Sequence, residues 1–215
     1  MRYCCLRRMA VLFVGLLFMA SGIAFCIRAG LGITPISCPP YVLSLGLPFS
    51  VGQFTIAMHL LLIIGQKILL GKGFGRMQWF QIVLAMVFGC FIDAFMWLTS
   101  TVAPSAYPAR VLLLLAGNAL LALGMFFEIS AHLIFVPTDG FVRAVSVRTG
   151  IPFPRLKIAF DVLLLVVSVV CSLALLGRIE GIREGTFVSA FMAGFFLGLI
   201  RRVFTAAGIS SAARR

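Results

Sequence analysis

The chain is short of charge, and shortest of acid: six Asp and Glu stand against eighteen Lys and Arg in 215 residues, and charged residues make up only 11% of the whole. Soluble domains carry about 25% charged residues, so a water-facing surface of ordinary polarity cannot be assembled from this composition. There are six cysteines and two histidines, with no C-x-x-C pair and no His/Cys alternation at ligand spacing. That pattern excludes a recognisable metal site or disulfide framework and leaves the cysteines as small apolar packing residues. Cys4-Cys5, beside Arg7-Arg8, is at most a lipidation signal. A Ser-His-Asp neighbourhood, a phosphate-binding glycine loop and a carboxylate pair in a polar loop are all missing. The expectation is a protein that is not an enzyme and holds neither metal nor cofactor.

What remains is apolar. Hydrophobic residues reach 62% and the mean hydropathy is +1.14. Runs over 9–27, 51–70, 79–98, 111–127, 158–176 and 187–200 approach the ~20 residues that cross a bilayer core, the last being short. Six membrane spans are expected. The net charge of +12 would suggest nucleic acid in a soluble protein, but here the basic residues sort by side. Fourteen fall on one face: Arg2, Arg7 and Arg8, then Lys67, Lys72 and Arg76, then Arg143, Arg148, Arg155 and Lys157, and finally Arg201, Arg202, Arg214 and Arg215. Only Arg28, Arg110, Arg178 and Arg183 fall on the other. The positive-inside rule then puts both termini in the cytoplasm, which requires an even number of spans. The bilayer replaces nucleic acid as the partner.

A duplication runs through this pattern. Gly22 to Pro35 is matched 102 residues later by Gly124 to Pro137, and Gly46, Pro48 and Phe49 are matched 104 residues later by Gly150, Pro152 and Phe153. The halves are read as 1–99 and 110–205, joined by a linker at 100–109 and followed by a basic tail at 206–215. Three crossings per half make the second copy enter from the opposite side, as inverted transporter repeats do. Met1–Cys26 resembles a secretory signal. The match of Gly22 to the interior of the fourth run argues that it is retained as a span.

Each half also contains a broken segment. Around Thr34-Pro35 the chain is too interrupted by proline to cross, yet stays apolar to Leu47. Thr34 is expected to cap a short re-entrant helix with Pro35 in its first turn. The counterpart is Phe135–Gly150, with Thr138 or Asp139 as the cap. Non-helical backbone at membrane depth must be satisfied by protein or a water-filled cavity, and a half-helix N-terminus favours an anion or the carboxylate of a zwitterion. The competing reading lays both segments flat on the membrane surface, and Arg143 and Arg148 favour it for the second.

Few polar groups lie inside the spans. Asp93, between Phe91-Ile92 and Ala94-Phe95, costs roughly 2.5–3.5 kcal/mol on insertion scales unless paired, hydrated or protonated; it is a candidate coupling group or a structural hydrogen-bond acceptor near the outer interface. His59 and Asn118 are intramembrane polar residues, and a lone histidine is more often structural than a ligand. Lys157 and Asp161 are spaced for an i,i+4 ion pair. Glu128 and His132 share that spacing, with a solvated helix end the preferred reading. Gly194 and Gly198 form a GxxxG that packs within the bundle or between copies.

Arg8, the run Gly22 through Arg28-Ala29-Gly30-Leu31-Gly32, Thr34-Pro35, Tyr41-Val42-Leu43, Gly52, Gln66, Gln81, Gly89 and Asp93 together resemble the YczE/YyaS/YitT class of bacterial membrane proteins, more closely in the first half than in the second. The resemblance implies a small polytopic protein of the bacterial cytoplasmic membrane, of a type often suspected of transport, and supplies no substrate.

The sequence therefore leads to an all-helical membrane protein of two inverted three-span repeats. It would move a small anionic or zwitterionic solute by alternating access, as a monomer or homodimer. Thr34, Ser37, Tyr41, Thr138 and Asp139 are the expected substrate-binding residues, and Asp93, His59 and Asn118 the intramembrane polar set. The alternative is a non-transporting membrane protein whose basic face recruits or regulates a cytoplasmic enzyme.

Overall fold

A computed structural model describes residues 2–131 and 133–206, and side chains within 7–192, 195–200 and 202 of those. The described residues are helical, with no strand. The order is α1 (Arg2–Ala29), α2 (Cys38–Gly46), α3 (Val51–Leu70), α4 (Phe80–Leu98), α5 (Tyr107–Ala131), α6 (Pro137–Thr149), α7 (Phe153–Leu176) and α8 (Glu184–Ala206), with two 3₁₀ turns between α3 and α4. Long, short, long, long thus occurs twice. Five segments, in α1, α3, α4, α5 and α7, are long and apolar enough to cross a membrane, while the apolar part of α8, 184–200, is shorter.

The two short helices start where proline permits. Pro39 and Pro40 fall in the first turn of α2, where a missing N–H breaks no helical bond. Pro137 likewise opens α6, which Gly150 stops in the left-handed conformation at φ +74°. The expected caps are corrected. Thr34 does not cap α2: residues 34–37 form a turn closed by Ser37 N–H on the Thr34 carbonyl at 2.9 Å, and the cap position is Ser37. The Thr34 carbonyl takes the Ser37 and Cys38 N–H groups and its hydroxyl donates to Ser37 Oγ, so the chain completes a turn before the helix starts at Cys38. In α6 the cap position is Val136, so Thr138 and Asp139 lie inside the first turn rather than before it.

The centre of the molecule is the crossing of α1 and α5. A Cβ on Gly15 would stand 2.9 Å from the Gly124 carbonyl oxygen, and one on Gly22 would stand 2.6 Å from that of Gly117. As position rises along α1 it falls along α5, so the helices run antiparallel with their backbones in direct contact, as small residues allow. Leu12, Leu16, Ala20, Ile23 and Leu121 fill in around them.

The remaining packing falls into two groups. α1 and α5 pack on α4 and α8 respectively; α2, α3, α6 and α7 pack among themselves, α3 on α6 and α2 on α7. Among the described residues, α3 against α4 is the one extensive helix pairing that joins the groups. That pairing is also antiparallel: Gly52 meets Gly89 and Asp93 near one end, and Gln66 meets Gln81 near the other. Among the described residues, no comparable packing joins α7 to α8.

Candidate functional site

Both chain breaks open into the same interior space. A cavity of about 40 Å³ lies between the two groups of helices. Its polar lining is Ser37 from the turn before α2, Thr55 and His59 from α3, and Thr138 from the first turn of α6. Met19 and Ile23 of α1, Phe88 of α4 and Leu121 of α5 form apolar walls. Ser37 and Thr138 are 101 residues apart in sequence and are brought together because each short helix begins at this cavity and runs away from it.

His59 is 4% exposed, its ring stacked on Phe88 with centroids 5.9 Å apart and planes within 5°. Its Nδ1 has no hydrogen-bond partner among the described residues. A buried polar atom without a partner forfeits about 1–3 kcal/mol, and His59 is one of the residues that line the cavity. Thr55 precedes His59 by one helical turn, and its hydroxyl donates to the Val51 carbonyl at 2.8 Å. Thr34 lies one step back and donates to Ser37 Oγ at 3.2 Å. Thr55 was not legible as a site residue by composition; its i,i+4 spacing from His59 on one helix face is the signal that finds it.

The other expected residues lie elsewhere. Tyr41, on α2, packs its ring beside Gly181. Asp139 pairs with Lys157 at 3.4 Å, and Lys157 also meets Asp161 at 3.1 Å, the expected i,i+4 pair. Asn118 is fully buried and ties α5 to α8, its Nδ2 donating to Ser189 Oγ and to the Leu114 carbonyl, both at 2.9 Å. Asp93 accepts from Ser50 Oγ at 2.5 Å and from the Gly52 N–H at 2.8 Å, and so fastens the start of α3 to α4. It lines an open surface groove with Phe49, Gln53, Met96 and Trp97, not the interior cavity.

The solvated-end reading of Glu128 is corrected. Glu128 is 5% exposed, and its carboxylate accepts from the Val136 N–H at 2.9 Å, holding the chain where α6 begins. The α5–α6 turn folds back over the end of α5, which removes that end from solvent. His132, its expected partner, lies outside the described residues, as do the side chains of Cys4, Cys5, Gly194 and Arg201 and the whole tail from 207.

Gln66 is the polar residue that composition did not single out for a role. It is 1% exposed and donates from Nε2 to Gln81 Oε1 and to the Pro137 carbonyl, both at 3.0 Å. It therefore joins α3, α4 and the second break. Beside it, Gly140 leaves room for the amide: a Cβ there would stand 2.8 Å from Gln66 Oε1. The basic Arg143 and Arg148 lie on the exposed side of α6, Arg143 over the Phe135 ring at 4.9 Å, while Pro137, Thr138, Val142 and Ala144 face the interior.

Apolar helices of spanning length around a small polar interior define a helical membrane protein. The chain belongs to a family of unknown function, DUF6198, whose pattern matches residues 6–202. No curated protein and no solved structure matches it.

Proposed function

We propose that this protein is a secondary transporter of the cytoplasmic membrane, with six spans arranged as two inverted repeats, both termini in the cytoplasm, and a solute site between the two chain breaks. The observation that carries this reading is the cavity shared by Ser37 and Thr138. Broken helices that meet at the interface of structural repeats are the recurring construction of transporter sites, and irregular backbone in a membrane is tolerated where it lines such a space.

The register of the halves supports the inversion. It takes Gly15 to Gly117 and Gly22 to Gly124, so the contact of Gly15 with Gly124 exchanges with the contact of Gly117 with Gly22. Two antiparallel helices that swap contacts in this way are related by a two-fold axis across them, lying in the membrane plane. α3 on α6 exchanges with α7 on α2, and α1 on α4 with α5 on α8. The pair that breaks the exchange is α3 on α4, which has no packed counterpart between α7 and α8 among the described residues.

That asymmetry supplies a mechanism. The group of α2, α3, α6 and α7 rocks against the group of α1, α4, α5 and α8, resting on α4 in one state and on α8 in the other. Asp93 is the latch of the first state and the group on which coupling acts, since its two hydrogen bonds must break when α3 leaves α4. The resemblance to the YczE/YyaS/YitT class accords with this reading.

Cysteine at Ser37 or at Thr138, in a chain freed of its native cysteines, tests it. A membrane-impermeant thiol reagent should reach each position from both faces of oriented vesicles. Protection from both faces at both positions would remove the pathway and leave recruitment of an enzyme by the basic face as the better reading.

A further inference from the structure

We infer that the interior site takes a compact, uncharged polar solute, one that both donates and accepts hydrogen bonds, in place of the anion or zwitterion that half-helix ends suggest. The inference rests on the transport reading and specifies what is carried.

An anion at the start of either short helix would need free amide donors. Pro39 and Pro40 have no N–H, and the Cys38 N–H is already given to the Thr34 carbonyl at 3.2 Å, so the first turn of α2 has no amide to offer. The usual ability of a helix N-terminus to hold an anion depends on those amides. At α6, Pro137 removes one more and leaves the N–H groups of Thr138 and Asp139. These serve a neutral carbonyl or hydroxyl oxygen equally well.

Charge is missing as well as the amides of α2. Among the described residues, no Lys, Arg, Asp or Glu lines the cavity. The ionisable groups of the surrounding helices are engaged elsewhere: Asp139 and Asp161 with Lys157, Glu128 with the Val136 N–H, Arg28 with the Met96 carbonyl at 2.6 Å, and Asp93 with Ser50 and Gly52. An ion entering such a space gives up its hydration without meeting a countercharge, and that cost prevents occupancy unless the ion is paired. The ammonium of a zwitterion finds no carboxylate and its carboxylate finds no cation.

What the lining does provide is neutral hydrogen bonding. His59 Nδ1 has no hydrogen-bond partner among the described residues. The Ser37 hydroxyl accepts from Thr34 and keeps its own proton to give. Thr138 brings a further hydroxyl to the same space. A neutral imidazole has one donor and one acceptor nitrogen, and the walls of Met19, Ile23, Phe88 and Leu121 match a small apolar part. The volume of about 40 Å³ corresponds to about three water-sized atoms at ~10–15 Å³ each. A primary amide or small alcohol fits this description.

The test uses the full-length protein in liposomes, with radiolabelled acetamide as the uncharged probe, glycine as the zwitterion and inorganic phosphate as the anion. Acetamide exchange should exceed that of protein-free liposomes at least threefold, saturate with concentration and be inhibited by excess unlabelled acetamide, with glycine and phosphate at background. His59→Phe, which keeps a ring on Phe88, should abolish the gain, and Thr138→Val should reduce it severalfold. The second variant, checked for an unchanged melting temperature, separates loss of the site from loss of the fold. Saturable glycine or phosphate entry without acetamide exchange overturns the inferred class and leaves transport standing. Background rates for all three probes, with impermeant reagents still reaching Ser37→Cys and Thr138→Cys from both faces, overturn the class alone; background rates with both positions protected overturn the transport reading and the class with it.

Discussion

Gly22 of α1 lies directly against Gly117 of α5: a side-chain carbon on Gly22 would stand 2.6 Å from the Gly117 carbonyl oxygen and 2.7 Å from the Leu121 amide nitrogen. The obstacle is backbone, which cannot rotate aside. Overpacking of this kind costs about 1–3 kcal/mol, so Gly22→Ala and Gly117→Ala should each lower the melting temperature of the detergent-purified protein. Gly198→Ala, with open space at its Cβ, should be neutral or raise it, because alanine is the better helix former by about 0.5–1 kcal/mol. Equal effects at Gly22 and Gly198 would count against the crossing as the structural centre.

Asp93→Asn should act on the balance of states. The carboxylate holds Ser50 and Gly52 at the one extensive seam between the two helix groups among the described residues. Hydrogen bonds to a charged group contribute about 1.5–3 kcal/mol, so weakening them should shift the equilibrium roughly tenfold or more away from the α3-on-α4 arrangement. Spin labels on α3 and α4 would report it as growth of a longer distance. An unchanged distribution would make Asp93 incidental to the motion.

Gln66 and Gln81 should behave as a coupled pair. Gln66→Leu strands the Pro137 carbonyl and the Gln81 amide, each buried, at about 1–3 kcal/mol for a buried polar group left without its partner. In a double-mutant cycle the two substitutions should show an interaction of about 0.5–3 kcal/mol. Additive losses would show that the amides do not act together.

Lys157→Met should destabilise more than Asp161→Asn. Lys157 bridges Asp139 of α6 and Asp161 of its own helix. Its removal leaves two half-buried carboxylates facing each other, whereas the loss of Asp161 leaves the pair with Asp139 intact. Thermal melts of the two variants under one set of conditions settle the order.

Much of this architecture was legible in the sequence because its signals are periodic or punctuating. Apolar runs marked α1, α3, α4, α5 and α7, and Gly-Pro punctuation marked both breaks. The glycine register matched Gly22 to Gly124, and both lie in the α1–α5 crossing. Helix starts at the breaks were misplaced because Pro39-Pro40 competes with Pro35 for the first turn, and local pattern does not rank them. Ser37 and Thr138 were both named as lining residues, yet their meeting point at His59 was not, since a histidine on one span gives no sign of which breaks it will face. Asp139 was expected at the same place and is drawn away by Lys157, eighteen positions on. Glu128 was misread because burial by a returning turn leaves no trace in composition.

Alternating access requires the two halves to exchange conformations, and one cross-link decides whether they do. Extending the register of 104 residues from Gly46–Phe49 through α3 and α4 carries the contact of Gly52 with Asp93 onto Leu156 of α7 and Leu197 of α8, helices that do not pack extensively among the described residues. Leu156→Cys with Leu197→Cys, in a chain whose six native cysteines are replaced, should form a disulfide on mild oxidation in membranes. That bond needs the two Cα atoms to approach within about 7 Å, and forming it should stop solute exchange until it is reduced. If the cysteines stay free under conditions that oxidise a control pair placed within the packed α1–α5 crossing, the second state does not exist and the alternating account is wrong.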